Sequence, residues 1–242
     1  MLKNIIEFSA KKSILQNKNI HPIPSKLNIP DWFKKLEHTF TNRTIKGCIP
    51  VLDSLTAGYI LKIPIDVYIE HNVIKNQERT TKITSGLNRS QFNLNVNESD
   101  DTHPTSQLGD ECPLTKKNKN LPFLKIMNPW TIKTPLGYSC LFLPPLNNSD
   151  DRFSIIPAIV DTDSYANEIN FPFVINGDKY PVLKSIIKEG TPFVQVIPFK
   201  RDNWQMNLTC TKDTELQLEK FKLFSKFINK YKNKWWYKKS WK

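Results

Sequence analysis

The residues best suited to chemistry are carboxylates at the ends of apolar runs. Asp161 and Asp163 follow Ala158-Ile159-Val160, with Tyr165 close behind, and Asp53 opens the stretch Asp53-Ser54-Leu55-Thr56-Ala57-Gly58-Tyr59. A carboxylate held on a strand can orient a water for attack on a phosphoryl group. A pair can hold Mg2+ through waters, but only weakly unless substrate phosphates complete the shell. Aspartates after strands also cap turns by accepting backbone hydrogen bonds, so a structural and a functional role both stand for Asp53, Asp161 and Asp163. Lys200 and Arg201 end another apolar run, where they contact an anion or simply meet solvent. His21, His38, His71 and His103 show no metal spacing and are expected at the surface. Cys48, Cys112, Cys140 and Cys210 form no Cys-x-x-Cys pair and are expected to stay reduced.

The elements that must position these groups are mainly strands. The 242 residues hold 17 prolines against 7 glycines, which favours short extended segments, and they suffice for one main core. Leu61, Ile63, Ile65, Val67 and Ile69 alternate with mostly polar neighbours, so Ile60 to Glu70 reads as a strand with one buried face. Pro64 places that strand at a sheet edge or a bulge, and Arg79 to Thr84 is a weaker strand that could pair with it. Further strands are expected at Phe123 to Trp130, Tyr138 to Leu143, Ser154 to Val160, Glu168 to Val174 and Phe193 to Phe199. Short strands with turn residues at this spacing indicate a sandwich or barrel.

Three flanking regions differ in character. Residues 1–44 read as an N-terminal arm, with Asp31 capping a short helix that docks through Trp32. Residues 85–120, rich in Asn, Asp, Ser, Thr and Lys, read as a polar surface excursion of the β domain 45–201. In 202–242, Asp213 or Thr214 can cap an amphipathic helix with Leu216, Phe221, Phe224, Phe227, Ile228 and Tyr231 near one stripe. From Leu216 onward nine lysines and one glutamate supply +8 of the formal charge of +12, leaving +4 for the other residues. Trp235, Trp236, Tyr237 and Trp241 lie among those lysines, which suits stacking on bases beside phosphates, or anchoring on the protein's own body or a neighbouring subunit. No long apolar face accompanies them, so a membrane partner is not expected. No 18-residue apolar run and no signal-peptide pattern is present, and the expectation is a soluble, intracellular protein.

Three stretches together resemble the dUTP pyrophosphatase/dCTP deaminase family. Ala57-Gly58-Tyr59-Ile60-Leu61 is similar to the family's Ala-Gly-Tyr-Asp-Leu motif, with isoleucine in place of aspartate. Thr134-Pro135-Leu136-Gly137-Tyr138, leading into Ala158-Ile159-Val160-Asp161-Thr162-Asp163-Ser164-Tyr165, resembles its Pro-x-Gly turn and Gly-Val-Ile-Asp-x-Asp-Tyr-Arg-Gly motif. Ile187 to Pro198 resembles its Ile-x-x-Gly-x-x-Ile-Ala-Gln-Leu strand. The resemblance implies a β-clip fold that assembles as a trimer, Asp161 as general base with Asp163 and Tyr165 beside it, and Gly58, Tyr59 and Gln195 among the ligand-binding residues. The departures are specific. Leu143-Pro144-Pro145-Leu146-Asn147 stands where the family has its Arg-Ser-Ser phosphate motif, Tyr165 lies one residue late, Asn167 replaces a glutamate, and the glycine-rich C-terminal arm is absent. The whole chain also resembles an uncharacterised family found in marine tailed phages, through landmarks such as Ile29-Pro30-Asp31-Trp32-Phe33 and Gln195-Val196-Ile197-Pro198-Phe199-Lys200-Arg201. That implies a phage context, in the host cytoplasm or the virion, and supplies no activity.

The expectation is therefore a phage-type, homo-oligomeric binding or structural component without catalysis. Two alternatives remain open. One is a divergent nucleotide hydrolase or deaminase using Asp161, Tyr165 and Gln195, with Lys200 or Arg201 on the phosphates and Mg2+ entering only in that case. The other is nucleic-acid binding through the basic, aromatic tail.

Overall fold

The computed structural model describes residues 4–74, 79–85, 102–103, 105–215, 217 and 230–242. The chain is mainly β, with every strand pairing antiparallel. Its strands are β1 (Glu7–Ser9), β2 (Ile23–Pro24), β3 (Tyr59–Lys62), β4 (Val67–Asn72), β5 (Thr80–Ser85), β6 (Thr102–His103), β7 (Phe123–Ile126), β8 (Thr131–Lys133), β9 (Tyr138–Leu143), β10 (Phe153–Ile155), β11 (Ala158–Val160), β12 (Phe171–Ile175), β13 (Val182–Ile187) and β14 (Pro192–Lys200). They form sheets ordered β11-β9-β14-β3-β2, β10-β12-β7-β6, β13-β4-β5 and β1-β8; among the described residues no sheet closes into a barrel, and the arrangement is that of the expected sandwich.

Prolines decide where the chain changes sheet. The expected Ile60 to Glu70 strand is two strands, because Pro64 cannot donate to a ladder. β3 ends at Lys62 in the five-stranded sheet and β4 begins at Val67 in the three-stranded one. Ile63 bridges the break, donating its N–H to Thr191 O (2.8 Å) and accepting from Gly190 N (2.9 Å). The expected Ser154 to Val160 strand likewise splits at Pro157 into β10 and β11, which belong to different sheets. Pro198 is tolerated inside β14 because β3 reaches only as far as Val196, leaving β9 as its one neighbour there.

Phenylalanines fill the space between the two larger sheets. Phe142 of β9 meets Phe171 of β12 at 5.4 Å, Phe171 meets Phe193 of β14 edge-on at 5.6 Å, and Phe153 stacks on Phe173 at 4.7 Å. Leu61, Ile63, Ile69, Ile132, Val194 and Val196 extend this core. Ile14, from α1 (Lys12–Gln16), and Ile20 join it from the N-terminal segment, and β1 pairs with β8. In α2 (Asp31–Lys35) Phe33 is the buried residue, whereas Trp32 is exposed and donates from Nε1 to Asn147 O (3.0 Å). Pro30 occupies the cap position and Asp31 pairs with Lys34, correcting the expected cap, while Phe33 joins Trp32 in docking the helix.

The second face of the five-stranded sheet carries α3 (Ile49–Thr56), an element with no clear helical period in the sequence; its Leu55 is buried. Residues 105–120 are also less superficial than their polarity suggests. Beyond α4 (Pro113–Lys117), buried Asn118 donates to Leu121 O (2.8 Å) and accepts from Ile175 N (2.8 Å). His71 is not a surface histidine: it is fully buried on β4, and burial, aided by Arg79, pushes its pKa down to about 4. The side chain of His103 and most of the expected C-terminal helix, including Leu216, Phe221, Phe224, Phe227 and Ile228, lie outside the described residues. A short helix, α5 (Lys230–Lys234), precedes the tail. Among the described residues no helix is long and apolar enough to cross a membrane.

Candidate functional site

A turn, a strand end and a cation meet at one corner of the five-stranded sheet. Pro135 to Tyr138 turns β8 into β9, with Gly137 at φ 85°, a left-handed conformation that glycine accommodates. β11 ends beside this turn, and Thr134 and Thr162 join the two through their hydroxyls (2.8 Å). Beyond β11 the chain curls tightly, Ser164 N and Tyr165 N both donating to Asp161 O (3.1 and 2.9 Å). The ladder opposes Lys200 to Tyr138, so Arg201 arrives just outside the start of β9, where its N–H donates to Gly137 O (2.8 Å).

Arg201 is the hub. Its guanidinium donates to Asp163 Oδ1 (2.9 Å) and Oδ2, to Ser139 Oγ (3.0 Å) and to Tyr138 O (3.1 Å), and it lies 3.2 Å from Asp161 Oδ1. Asp163 also accepts from Gly137 N (2.8 Å), and its side chain is only 2% exposed. The Arg201 bonds, then the Gly137 N–H, hold the Asp163 carboxyl down at about 2 against the opposing effect of desolvation. The same pairing holds Arg201 still more firmly protonated. Asp161 differs: its side chain is 61% exposed, and Ser139 Oγ donates to its Oδ1 at 2.6 Å. Thus one carboxylate is fully engaged, while the other is oriented but open to water.

The remaining expected site residues are not gathered here. Gln195 is 1% exposed in the middle of β14; its Nε2 donates to Ser54 O (2.9 Å) and Ala57 O (2.7 Å), and its Oε1 accepts from Leu146 N (3.0 Å). Gly58 has φ 67°, and a Cβ there would stand 1.9 Å from Val196 O, so this glycine lets β3 lie against β14. Tyr59 packs edge-on against Phe8 (5.4 Å) and Trp241 (6.2 Å), and its hydroxyl donates to Lys242 O (3.1 Å). Asp53 accepts from Trp236 Nε1 (2.9 Å) and Lys239 Nζ (2.6 Å), so it serves the tail, and only Asp161 and Asp163 meet at the corner. Lys200 pairs with Asp202 (2.8 Å), and Tyr165 is partly exposed beside Asp161.

Sequence reasoning missed Ser139, the Gly137 N–H and the tail partners of Asp53, since each depends on strand register or on long-range docking. It did single out Leu143 to Asn147. A cleft of about 200 Å³ adjoins that segment, lined in part by Pro144, Pro145, Asn147, Asp150, Asp151 and Lys117. Asp150 is bound by Arg152 (2.7 Å) and Asp151 by Lys179 (2.6 Å) and Tyr180 Oη (2.6 Å), each pairing holding the carboxyl below its ordinary range. A rim with two carboxylates is a poor cradle for phosphate. Magnesium fits the Arg201 corner no better, because the guanidinium occupies the position between Asp161 and Asp163 that a cation would take. Among the described residues no group of three or more His, Cys, Asp or Glu is placed to hold a metal.

Fold and site together define a mainly β protein with a carboxylate–guanidinium clamp at one sheet corner. In overall structure the chain is similar to a mutant dUTPase from phage phi11 of S. aureus, a protein described as coordinating a structural Mg(II) ion, at 12% identity and TM-score 0.35 over 88% of this chain and 99% of that one. The likeness is distant and lends no weight to the role of any residue. No protein-family model and no curated protein matches the chain.

Proposed function

We propose that this chain is a non-enzymatic, homo-oligomeric binding or structural component, set in a phage context by its sequence landmarks, and that the Arg201 clamp is a fold-closing device. The carrying observation is that the cluster uses its charge internally: Asp163 is enclosed, and the Arg201 guanidinium bonds Asp163, Ser139 and Tyr138 and pairs with Asp161. Gln195 supports the same reading, because its amide is taken up by backbone. The test is phosphate or pyrophosphate release from a panel of deoxynucleoside triphosphates with Mg2+ or Mn2+, alongside thermal shift. No turnover and no rise in melting temperature are expected. Turnover that Asp161→Asn abolishes overturns the reading.

One observation favours the hydrolase alternative, namely the exposed Asp161 carboxylate fixed by the Ser139 hydroxyl, a geometry able to orient a water. On that reading Ser139→Ala lowers turnover along with Asp161→Asn. For the nucleic-acid alternative, Trp236, Lys239 and Trp241 are engaged by Asp53 and Tyr59, which favours anchoring over base stacking. Binding of single-stranded DNA that weakens steeply with salt and vanishes on removing 230–242 would revive it.

A further inference from the structure

Between the clamp and the tail runs a segment whose side chains are all exposed. Asn203 to Thr211 carries no charge, although a quarter of the whole chain is charged. It forms neither helix nor strand, and among the described residues its backbone N–H groups make no hydrogen bond within the chain. Its large apolar residues recur at period two: Trp204 is 90% exposed, and Met206 and Leu208 are each 83% exposed. This is the pattern of a strand with one apolar face, lacking both a partner strand and a surface to cover. Left bare, such a segment is an aggregation hazard.

A matching bare surface lies at the root of this segment. Ile159 on β11 opposes Leu141 on β9, and Leu141 opposes Ile197 on β14. Directly opposed residues share a face, as does Phe199 two positions along from Ile197. α3 covers the other end of this face, where Gln195 reaches its carbonyls. The near end is open, with Ile159 63% exposed and Phe199 and Leu136 also exposed. β11 is the terminal strand of its sheet. An extended segment of this length spans about 26 Å, enough to cross the strip and run along that edge.

We infer that residues 203–211 are an exchange arm that lies on the Ile159–Leu141–Ile197–Phe199 strip and the β11 edge of a second copy of this chain. Donor and acceptor both belong to one sequence, and Arg201, bonded to Asp163 just beyond β11, roots the arm beside the strip. Copies meeting at that corner can therefore trade arms in a closed arrangement that leaves neither arm nor strip bare. The inference rests on the oligomeric part of the proposed function and is independent of whether the protein catalyses anything.

The experiment measures the mass of the full-length chain by light scattering after size exclusion, with circular dichroism and melting temperature as fold controls. The wild-type chain is expected to be an oligomer. The arm variant Trp204→Glu/Leu208→Glu and the strip variant Ile159→Glu, all at exposed positions, are each expected to be folded monomers. Mixing the two variants should restore association, because the intact arm of one copy finds the intact strip of the other. A monomeric wild type, a folded variant that keeps the wild-type mass, or a mixture that stays monomeric each overturns the inference. The nucleotide panel is read separately, so failure here leaves the non-catalytic reading to its own test.

Discussion

Gln195 separates a ligand-binding role from a structural one. Replacing it with leucine keeps the volume close but orphans three part-buried backbone groups: the Leu146 N–H and the Ser54 and Ala57 carbonyls, now bonded at 3.0, 2.9 and 2.7 Å. An unsatisfied buried group costs about 1–3 kcal/mol, and the lower end suits part-buried groups, so Gln195→Leu should lose roughly 3 kcal/mol. Against a typical stability of about 5–15 kcal/mol this is a large fraction, worth about 6–12 °C in Tm for a chain of this size. Urea unfolding followed by tryptophan fluorescence and far-ultraviolet circular dichroism measures it. Gln195→Glu gives a control with a sign. The carboxylate can still accept from Leu146 N but faces two carbonyls, so its folded pKa is raised above the ordinary value of about 4.3. The stability this variant keeps is present below that ordinary value and is lost as pH rises, making it more stable at acid pH than at neutral pH. A loss below about 1 kcal/mol for the leucine variant, or no acid recovery for the glutamate variant, would refute the buried-bridge argument.

Three further outcomes follow from the same structure. Asp163 titrates at about 2 instead of 3.8, so its contribution to stability is complete above about pH 4 and is lost as pH falls through 2; Asp163→Asn should flatten the urea midpoint over that window. His71 is neutral and buried with a pKa of about 4, so stability should decline as pH falls from 6.5 towards 4, and a His71 ring that titrates near 6.5 by NMR contradicts this. Asp53→Ala removes the acceptor of Trp236 and Lys239, so limited proteolysis should release the tail sooner than in wild type; unchanged cleavage would mean that Asp53 does not hold it.

Most of the strands were legible because alternation of apolar residues survives in Val67 to Asn72, Tyr138 to Leu143 and Pro192 to Lys200. Their grouping into sheets was less so. The sequence of Ser154 to Val160 reads as one run, and Pro157 could equally mark an edge strand or a crossing between sheets; only the partners of β10 and β11 distinguish the two. β13 was overlooked because Val182 to Ile187 has both faces partly apolar, with Val182 and Ile186 exposed and Leu183 and Ile187 buried. α3 was hidden by its shortness and by lying between two turn-rich segments.

The site shows the same division between residue type and register. Asp161, Asp163 and Arg201 were all legible as charged residues at the ends of apolar runs, but as separate candidates for base and anion contact. Their union depends on Lys200 standing opposite Tyr138, which carries Arg201 past the end of the ladder and into the turn that Asp163 enters from the other side. A guanidinium placed there balances one of the two carboxylate charges and fills the space between them, so the features that suggested catalysis one by one argue for closure once they are together. Gln195 follows the same logic. A polar side chain in the middle of an apolar strand signals that something must satisfy it, and in this fold α3 and the Leu146 backbone do so. Asp161 alone retains an open carboxylate, and the Asp161→Asn comparison therefore carries more information about activity than any other substitution at this corner.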